Sequence, residues 1–283
     1  MIRVAYQGEP GAYGEEAGLR FFAAEQVEAC PMPTFSAVYD SVETGVTDAG
    51  VLPLENSLAG TVGDALDALA TGSLTVIGEV LEPVHHQLLV LPGVSVPDIE
   101  HVMSHWQALS QCHRFLSQHG WHLIPAADTA GAARQLALDG DLHVAAIASQ
   151  RAADLYGLEI VARDIEDASH NVTRFAVISR TPRERDRSPE GAAEGSSDAL
   201  WESLITFETG HKPGDLVRVL AVLASAGINL SRIESRPSGE GPWRYRFLIQ
   251  VAGDAEMDPL RAALAEMRAH TTSMRVLGSF VAG

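Results

Sequence analysis

The pattern of apolar and polar residues differs between the part of the chain up to about residue 180 and the part after residue 200. In the first part, short apolar runs alternate with segments whose apolar residues recur at helical spacing. This alternation predicts mostly parallel sheets with helices packed on both faces. The last part follows the order strand, helix, strand, strand, helix, strand, which is the βαββαβ order of ferredoxin-like domains. The pattern therefore predicts an α/β protein.

The predicted elements of the first part follow one another at short intervals. Strands are expected at residues 3–7, 49–54, 75–80, 86–91, 101–104, 121–125, 143–147 and 172–178. Helices are expected at residues 15–24, 35–43, 62–69, 104–118 and 128–138, and after Ser149. Ser57, Thr61 or both are predicted to cap the third helix, because hydroxyl side chains satisfy the first backbone N–H groups of a helix.

The same pattern predicts two lobes, a linker and a final domain. The first part, residues 1–180, divides into a lobe of about 1–80 plus 165–180 and a lobe of about 81–164, with the first crossing near residues 82–83. Residues 181–200 are predicted to form the linker, since they are poor in apolar side chains and carry Pro, Gly, Ser and both charge signs. In the final domain, 201–283, strands are expected at 202–208, 228–234, 243–251 and 274–281, and helices at 215–226 and 259–270.

Composition narrows the classes of protein that the chain can represent. Its 283 residues, 46% of them hydrophobic, suffice for two ordinary globular cores. The net charge of −17 opposes nucleic-acid and anionic-membrane partners, so neither is expected. Cys30 and Cys112 are too few for a disulfide framework, and neither a signal-peptide pattern nor an apolar span of ~20 residues is evident. These features predict a cytoplasmic protein.

Polar residues at the start of one apolar run are the strongest sign of a binding site. Asn171, Thr173 and Arg174 place an amide, a hydroxyl and a guanidinium at the entrance of a run that continues through Phe175. Such groups need hydrogen-bond partners when they are buried. Turn capping by Asn171 and Thr173, with Arg174 extending to solvent, is the simpler alternative.

A second polar set stands where a predicted strand ends and a helix begins. Glu55, Asn56 and Ser57 occupy this junction, where exposed backbone N–H groups of an α/β protein attract carboxylates. Simple helix capping remains the alternative.

These segments resemble those of the prephenate dehydratase family, and matching segments extend over nearly the whole chain. The resemblance is carried by Thr173-Arg174-Phe175, by Pro53-Leu54-Glu55-Asn56-Ser57, by the segment from Ser104 to Cys112, and by the glycine-rich turn from Gly8 to Gly14. Two positions depart from the family's pattern. Trp106 replaces a proline, and Glu9-Pro10 alters the glycine-rich turn.

The resemblance implies a two-lobed fold like that of periplasmic binding proteins (type 2), and a lyase activity. Its substrate would be prephenate, which loses water and carbon dioxide to give phenylpyruvate in phenylalanine biosynthesis. The implied site comprises Glu55, Asn56, Ser57, Gln107, Asn171, Thr173, Arg174 and Phe175. We expect Thr173 to donate a hydrogen bond to the leaving hydroxyl and Arg174 to bind the pyruvyl carboxylate.

No cofactor or metal is expected for this reaction. The glycine-rich turn has neither of the two spacings of nucleotide-binding loops, and the histidines do not combine with carboxylates or cysteines in a recognisable ligand spacing. Formation of an aromatic ring supplies the driving force of the proposed reaction.

The final domain resembles the ACT domain that accompanies dehydratases of this family. The similarity lies in Asn229-Leu230 and Glu234-Ser235-Arg236-Pro237, and in Gly214-Asp215-Leu216, where the family has Gly-Ala-Leu. It implies that L-phenylalanine binds these segments and regulates the enzyme, in a homodimer or homotetramer. Asp215 is either an acid in the first turn of a helix or a carboxylate near the ligand.

Two other functions are consistent with the sequence. An arogenate dehydratase would perform the same elimination on a substrate whose ketone is replaced by an amino group. A non-catalytic amino-acid or metabolite sensor would use the two lobes for binding alone. The hydroxyl and amide side chains argue against the sensor, because a binder of a dianion needs cations more than hydroxyls.

Overall fold

Three sheets form the framework of the protein in a computed structural model, which describes residues 1–182, 201–239 and 241–282. The strands are β1 (Ile2–Gln7), β2 (Val27–Met32), β3 (Ala49–Asn56), β4 (Gly60–Thr61), β5 (Thr75–Pro83), β6 (Gln87–Val90), β7 (His101–His105), β8 (His122–Ala126), β9 (Val144–Ala148), β10 (Glu159–Ala162), β11 (Val172–Ser179), β12 (Trp201–Glu208), β13 (Leu230–Pro237), β14 (Tyr245–Ala252) and β15 (Ser273–Val281). The helices are α1 (Tyr13–Phe21), α2 (Phe35–Glu43), α3 (Gly63–Thr71), α4 (Trp106–Gln111), α5 (His113–Leu116), α6 (Thr129–Asp139), α7 (Gln150–Tyr156), α8 (Asp215–Ser225) and α9 (Leu260–Arg268).

Two compact units divide these elements. The first unit comprises Met1–Val62 and Val80–Phe175, and the second comprises Gly63–Glu79 and Ala176–Gly283. The predicted domain limits remain predictions, and residues 183–200 of the predicted linker lie outside the described residues.

The first two sheets differ in strand direction. One has the order β2-β1-β3-β11-β5, with β4 paired to β3, and β1 runs parallel to both of its neighbours. The other has the order β10-β6-β9-β7-β8. In it β7 is parallel to β8 and β9, whereas β6 is antiparallel to both β9 and β10. The prediction of mostly parallel strands is therefore wrong for this sheet, because β6, which follows the first crossing, runs against the other four strands.

Helices cover both faces of the second sheet, as the alternation predicts. Successive residues of β9 point to opposite faces, so Ala145 and Ile147 pack into one apolar cluster while Ala146 and Ala148 pack into another. The second cluster is rich in alanine, including Ala132 of α6, which lets these helices approach the sheet closely. Packing on both faces fixes the register of β9.

Side-chain caps begin α6 and α7 of this lobe, and glycines end both helices. The carboxylate of Asp128 accepts a hydrogen bond from the N–H of Gly131 at 2.6 Å, and the hydroxyl of Ser149 accepts one from Ala152 at 3.1 Å. The helices end at Gly140 and Gly157, both in the left-handed conformation.

The predicted helix at residues 104–118 is wrong in one respect, because it is two short helices. The carbonyl of Gln111 accepts a hydrogen bond from the N–H of Asp167 at 2.7 Å instead of continuing the helical ladder. The carboxylate of Asp167 accepts from the N–H of Arg114 at 3.0 Å, near the start of α5. Tertiary contacts with Asp167 therefore replace the helical hydrogen bonds of the Gln111 carbonyl and the Arg114 N–H, on either side of Cys112.

The predicted capping of α3 by Ser57 or Thr61 differs from the structure. Thr61 lies in β4, where it pairs with Glu55 of β3. The hydroxyl of Ser57 donates to the carbonyl of His170 at 2.7 Å and accepts from the N–H of Val172 at 3.0 Å. Ser57 thus ties the end of β3 to the start of β11.

Three strands were not predicted from the sequence, and one of them, β4, has only two residues. Both β2 and β10 lie at sheet edges, where a strand needs only one partner and exposes polar side chains. Their weak apolar pattern explains why they were missed.

The third sheet confirms the βαββαβ prediction for the last part. It has the order β13-β14-β12-β15, with antiparallel pairing throughout. Apolar residues of α8 and α9 pack against one face of this sheet, as Val219 and Met267 show by their complete burial.

Gly11 lies where a loop of the first lobe meets α7 of the second, and we expect Gly11→Ala to destabilise the protein. A Cβ there would lie 2.8 Å from the Cα of Ala152, and φ is +94°. The matched control is Gly140→Ala, since φ is +67° but no atom lies within 4 Å of the added Cβ. We expect losses of about 3 and about 1 kcal/mol in unfolding free energy, respectively. Equal losses in urea titrations would contradict the predicted clash.

Candidate active site

Asn56 is the centre of a hydrogen-bonded set of polar side chains at the ends of two neighbouring strands. It is the last residue of β3, and Thr173 lies near the start of β11, the next strand in the sheet. The Nδ2 of Asn56 donates to the Oδ1 of Asn171 at 2.8 Å and to the Oγ1 of Thr173 at 3.0 Å. Asn56 and Asn171 are almost fully buried, at 5% and 2% exposure. Three residues of the predicted site therefore meet.

The backbone fixes the orientation of the Asn56 carboxamide. Its Oδ1 accepts hydrogen bonds from the N–H groups of Leu58 and Ala59, at 3.1 and 2.9 Å. Since a backbone N–H can only donate, the atom facing it must be the amide oxygen. The nitrogen therefore faces Asn171 and Thr173.

Gln111 connects this set to the second lobe. Its Oε1 accepts from the Nδ2 of Asn171 at 3.0 Å, and its Nε2 lies 3.4 Å from the Oδ1 of Asn56. On its other side, the Oε1 lies 3.0 Å from the Nε2 of His86. The helix α4 and the two crossings, residues 84–86 between β5 and β6 and residues 163–171 between β10 and β11, thus bring Gln111 and His86 to the ends of β3 and β11.

Sequence analysis missed both Gln111 and His86. Gln111 stands four residues after Gln107, one helical turn away, so helical spacing places both on one face. The side chain of Gln107 takes no part in the network of Asn56, Asn171, Thr173, Gln111 and His86. A turn-by-turn projection of the segment around Gln107 would have offered Gln111 as a second candidate.

The other predicted residues lie around this network. Phe175 is buried in the sheet at 5% exposure, while Glu55 and Arg174 are half-buried. Neighbouring residues in a strand project to opposite faces, so Arg174 and Thr173 do not share a face. Thr173 is the one that meets Asn56. The roles assigned to all these residues from the sequence remain predictions.

Uncharged groups next to the network are buried. Desolvation lowers the pKa of His86, which is only 2% exposed, and thus favours the neutral imidazole. The hydroxyl of Tyr13 donates to the carbonyl of His85 at 2.7 Å, and burial raises the pKa of this phenol. Both rings therefore stay neutral near physiological pH.

A buried carboxyl group lies at the end of β5. Desolvation raises the pKa of Glu82 to about 7, with Arg20 opposing the shift and Glu16 adding to it. Arg20 contacts the Oε1 of Glu82 at 3.1 Å, while its Oε2 makes no hydrogen bond to the described residues. The neutral form of this acid is favoured more in the folded protein than in the unfolded chain.

His85, Asp164 and Glu166 lie together at the two crossings. Among the described residues, this is the group whose side chains could offer three metal-ligand atoms within 4.8 Å of one another. The Nδ1 of His85 lies 3.0 Å from a carboxylate oxygen of Glu166 and 3.6 Å from one of Asp164. Histidine spacing along the sequence did not predict this cluster. The side chains of His85 and Asp164 are more than half exposed, so the cluster has the geometry of a surface ion pair that joins the two crossings.

In the second unit, the predicted regulatory segments lie at the start of α8 and in β13. Gly214 has a φ of +84° and precedes α8. The carboxylate of Asp215 accepts the N–H of Lys212 at 2.7 Å and pairs with Arg218, and the Lys212 hydrogen bond is the main cause of its lowered pKa. The carboxylate of Asp215 therefore stabilises the loop that precedes α8.

Arginines of three strands converge on α3 within this unit. Arg236 of β13 forms two hydrogen bonds with Asp67, at 2.8 and 2.6 Å. Arg246 of β14 and Arg275 of β15 donate to the carbonyls of Ala70 and Leu69. Cations at the carbonyl end of a helix are favourable. The Arg236 of the predicted effector segment is thus anchored on α3.

Comparisons with known proteins agree with this arrangement. Residues 4–183 match the model of the prephenate dehydratase family, and residues 203–268 match that of the ACT domain. The chain belongs to the prephenate dehydratase family. A relative from Arabidopsis thaliana, "Arogenate dehydratase/prephenate dehydratase 2, chloroplastic", is 39% identical over 288 residues, covering 99% of this chain and 72% of the relative. This family is one of dehydratases, which are lyases.

Two solved structures share the fold over nearly the whole chain. One is a prephenate dehydratase in complex with L-Phe from Arthrobacter aurescens, with a TM-score of 0.88, 32% identity, and coverage of 99% of this chain and 90% of that one. The other is described as "GqqA- a novel type of quorum quenching acylases", with a TM-score of 0.87, 33% identity, and coverage of 99% and 98%. The predicted family and fold class are thereby confirmed.

The prediction of a cytoplasmic protein is wrong by this comparison, because the Arabidopsis thaliana relatives in this family carry "chloroplastic" in their names. Among the residues that the structure describes, no helix is long and apolar enough to cross a membrane.

The buried acid Glu82 should make folding stability depend on pH, and we test this with Glu82→Gln. A folded-state pKa of about 7, above the usual range of a carboxyl group, stabilises the folded protein at low pH. That contribution is lost as pH rises from about 4.5 to about 7. The variant lacks the titration, so its unfolding free energy relative to wild type should rise by about 2 kcal/mol between pH 5 and pH 8. A constant difference across this range would contradict the raised pKa.

Proposed function

We propose that this member of the family catalyses the decarboxylating dehydration of prephenate to phenylpyruvate. The observation that supports it most is the hydrogen bond from Asn56 to Thr173, which is 3.0 Å long. Because the Thr173 oxygen accepts a hydrogen bond from the Asn56 amide, its own O–H can donate a hydrogen bond to a ligand. A fixed hydroxyl donor is what the leaving group of this reaction requires.

The balance of the reaction shows where such a donor acts. The ring carbon–oxygen bond breaks and hydroxide departs, while the bond to the ring carboxylate breaks and its electron pair completes the aromatic ring. Carbon dioxide leaves, and the hydroxide takes up one proton to become water. Negative charge thus grows on the departing oxygen in the transition state, and a hydrogen bond from Thr173 strengthens as it grows.

The uncharged character of the network suits the carboxylate that leaves. A cation beside that group would stabilise it in the ground state and raise the barrier to decarboxylation. The amide of Asn56 contacts Thr173, and the side chains that continue the network from it are also amides, from Asn171 and Gln111. Arg174 remains our candidate for binding the pyruvyl carboxylate, which keeps its charge throughout.

Arogenate is the alternative substrate, and the printed name of the Arabidopsis thaliana relative includes both activities. The two substrates differ only in the side chain, where arogenate carries an ammonium group in place of the ketone. The elimination at the ring is the same, so Thr173 would act in the same way. Parallel assays with both substrates decide between them.

Regulation by L-phenylalanine at the ACT domain belongs to the same proposal. Residues 203–268 match that domain, and the structure from Arthrobacter aurescens is described as a complex with L-Phe. Gly214, Asn229 and the segment from Glu234 to Pro237 are the candidate contacts. A homodimer or homotetramer is proposed for the same reason, as the family's effector groove lies between chains.

Thr173→Val and Thr173→Ser test the leaving-group role as a matched pair. Valine keeps the shape but removes the hydroxyl, whereas serine keeps the hydroxyl. We expect valine to lower kcat by about 100-fold or more and serine by less than about tenfold, with small changes in KM. Phenylpyruvate formation from prephenate is measured in the presence of a chelator, which should not affect the rate. A valine variant as active as wild type would refute the role of Thr173, and chelator sensitivity would refute a metal-free reaction.

Calorimetry tests the effector site with the full-length protein. We expect L-phenylalanine to bind and to change the rate of the dehydratase reaction, while D-phenylalanine, with the same charge and volume, binds much more weakly. Heat of binding without any stereochemical preference, or no heat at all, would contradict a specific effector site.

A further inference from the structure

The buried His86 contacts the network without belonging to any predicted motif. It lies in the first crossing, between β5 and β6, and only 2% of its surface is exposed. Its Nε2 lies 3.0 Å from the Oε1 of Gln111, and its Nδ1 lies 3.4 Å from the hydroxyl of Tyr13. A histidine buried at this point needs a defined arrangement of its ring protons.

The donor and the acceptor of each hydrogen bond in the network follow from the fixed orientation of the Asn56 carboxamide. The N–H groups of Leu58 and Ala59 identify the Oδ1 of Asn56, so its Nδ2 must face the Oδ1 of Asn171. The remaining amide group of Asn171, its Nδ2, therefore faces the Oε1 of Gln111. Each amide determines the orientation of the next.

The hydrogen bond between Gln111 and His86 assigns the tautomer of His86. The Oε1 of Gln111 is an acceptor, so the ring nitrogen that faces it must carry a proton. The neutral imidazole consequently has its proton on Nε2, and its bare Nδ1 faces Tyr13. The hydroxyl of Tyr13 donates its hydrogen bond to the carbonyl of His85 at 2.7 Å, so the Nδ1 of His86 has no strong hydrogen-bond partner there.

The crossings hold the backbone of His86 in place. Its N–H donates to the Oε2 of Glu166 at 2.9 Å, and its carbonyl accepts from the N–H of Ile165 at 3.0 Å. Both partners belong to the segment that returns to the first lobe. The position of the imidazole is therefore set by both crossings together.

We propose that His86 is a positioning residue of the dehydratase reaction, which as the Nε2–H tautomer holds the carboxamide of Gln111. With Asn171 and His86 both donating to its Oε1, the Nε2 of Gln111 must point toward the Oδ1 of Asn56, which lies 3.4 Å away. Loss of the His86 donor leaves one of the two hydrogen bonds to this Oε1. The expected kinetic effect rests on the proposed function, whereas the assignment of the tautomer does not depend on it.

Two amide substitutions separate positioning from mere filling of space. In His86→Gln the side-chain nitrogen reaches approximately the place of the imidazole Nε2, so the donor to Gln111 is kept. In His86→Asn the amide ends near the place of Nδ1 and cannot reach Gln111. We expect His86→Asn to lower kcat about tenfold or more with little change in KM, and His86→Gln to stay within about threefold of wild type.

His113→Asn is the matched control, because it makes the same substitution at an exposed histidine that lies outside the two crossings. Its kcat should stay near the wild-type value. Equal losses in His86→Asn and His86→Gln, or no loss in His86→Asn, would overturn the positioning role.

A measurement on the wild-type protein covers the case in which a variant fails to fold. Nitrogen NMR of protein labelled in its histidine rings distinguishes a protonated ring nitrogen from a bare one. We expect His86 to be protonated at Nε2 and bare at Nδ1 at neutral pH. A proton on Nδ1 alone would overturn the inference even in a fully active enzyme, while the predicted tautomer in a protein inactive on both substrates would place the failure in the proposed function.

Discussion

Two hydrogen bonds from the backbone to the Asn56 carboxamide determine which groups of the surrounding network donate and which accept. The N–H groups of Leu58 and Ala59 can only donate, so they turn the amide oxygen toward the turn after β3 and the amide nitrogen toward Thr173. An asparagine without this anchor could rotate and exchange donor for acceptor. The hydroxyl of Thr173 would then donate to the protein and be lost to a substrate.

A network of amides also suits the electrostatics of this protein. With a net charge of −17, the chain repels a dianionic ligand over most of its surface, so the site must offer donors locally. Amides and hydroxyls supply donors without a charge that would stabilise a departing carboxylate. Burial of Asn56, Asn171 and His86 strengthens these hydrogen bonds, because water does not compete for them.

The sequence was sufficient for the strongly periodic elements and for the residues at strand ends. Asn171 and Thr173 could be found because polar groups at the entrance of an apolar run need partners, and Asn56 because it stands where a predicted strand ends. Gln111 could be reached only as the helical neighbour of Gln107. His86 could not be found, since its role depends on two crossings that bring separate lobes together. The break after Gln111 was hidden for the same reason: Asp167, 56 residues later, takes over its carbonyl. Local patterns do not reveal tertiary hydrogen bonds.

Neutron diffraction from a crystal of the deuterium-exchanged protein tests the orientation of Asn56 most directly, because it locates the exchanged hydrogens themselves. We predict deuterons on the Asn56 nitrogen that point toward the Oδ1 of Asn171 and the Oγ1 of Thr173, with the Thr173 deuteron directed away from Asn56. A Thr173 deuteron pointing at the Asn56 side chain would contradict the account, since the hydroxyl would then be an acceptor for the substrate and not a donor to its leaving group.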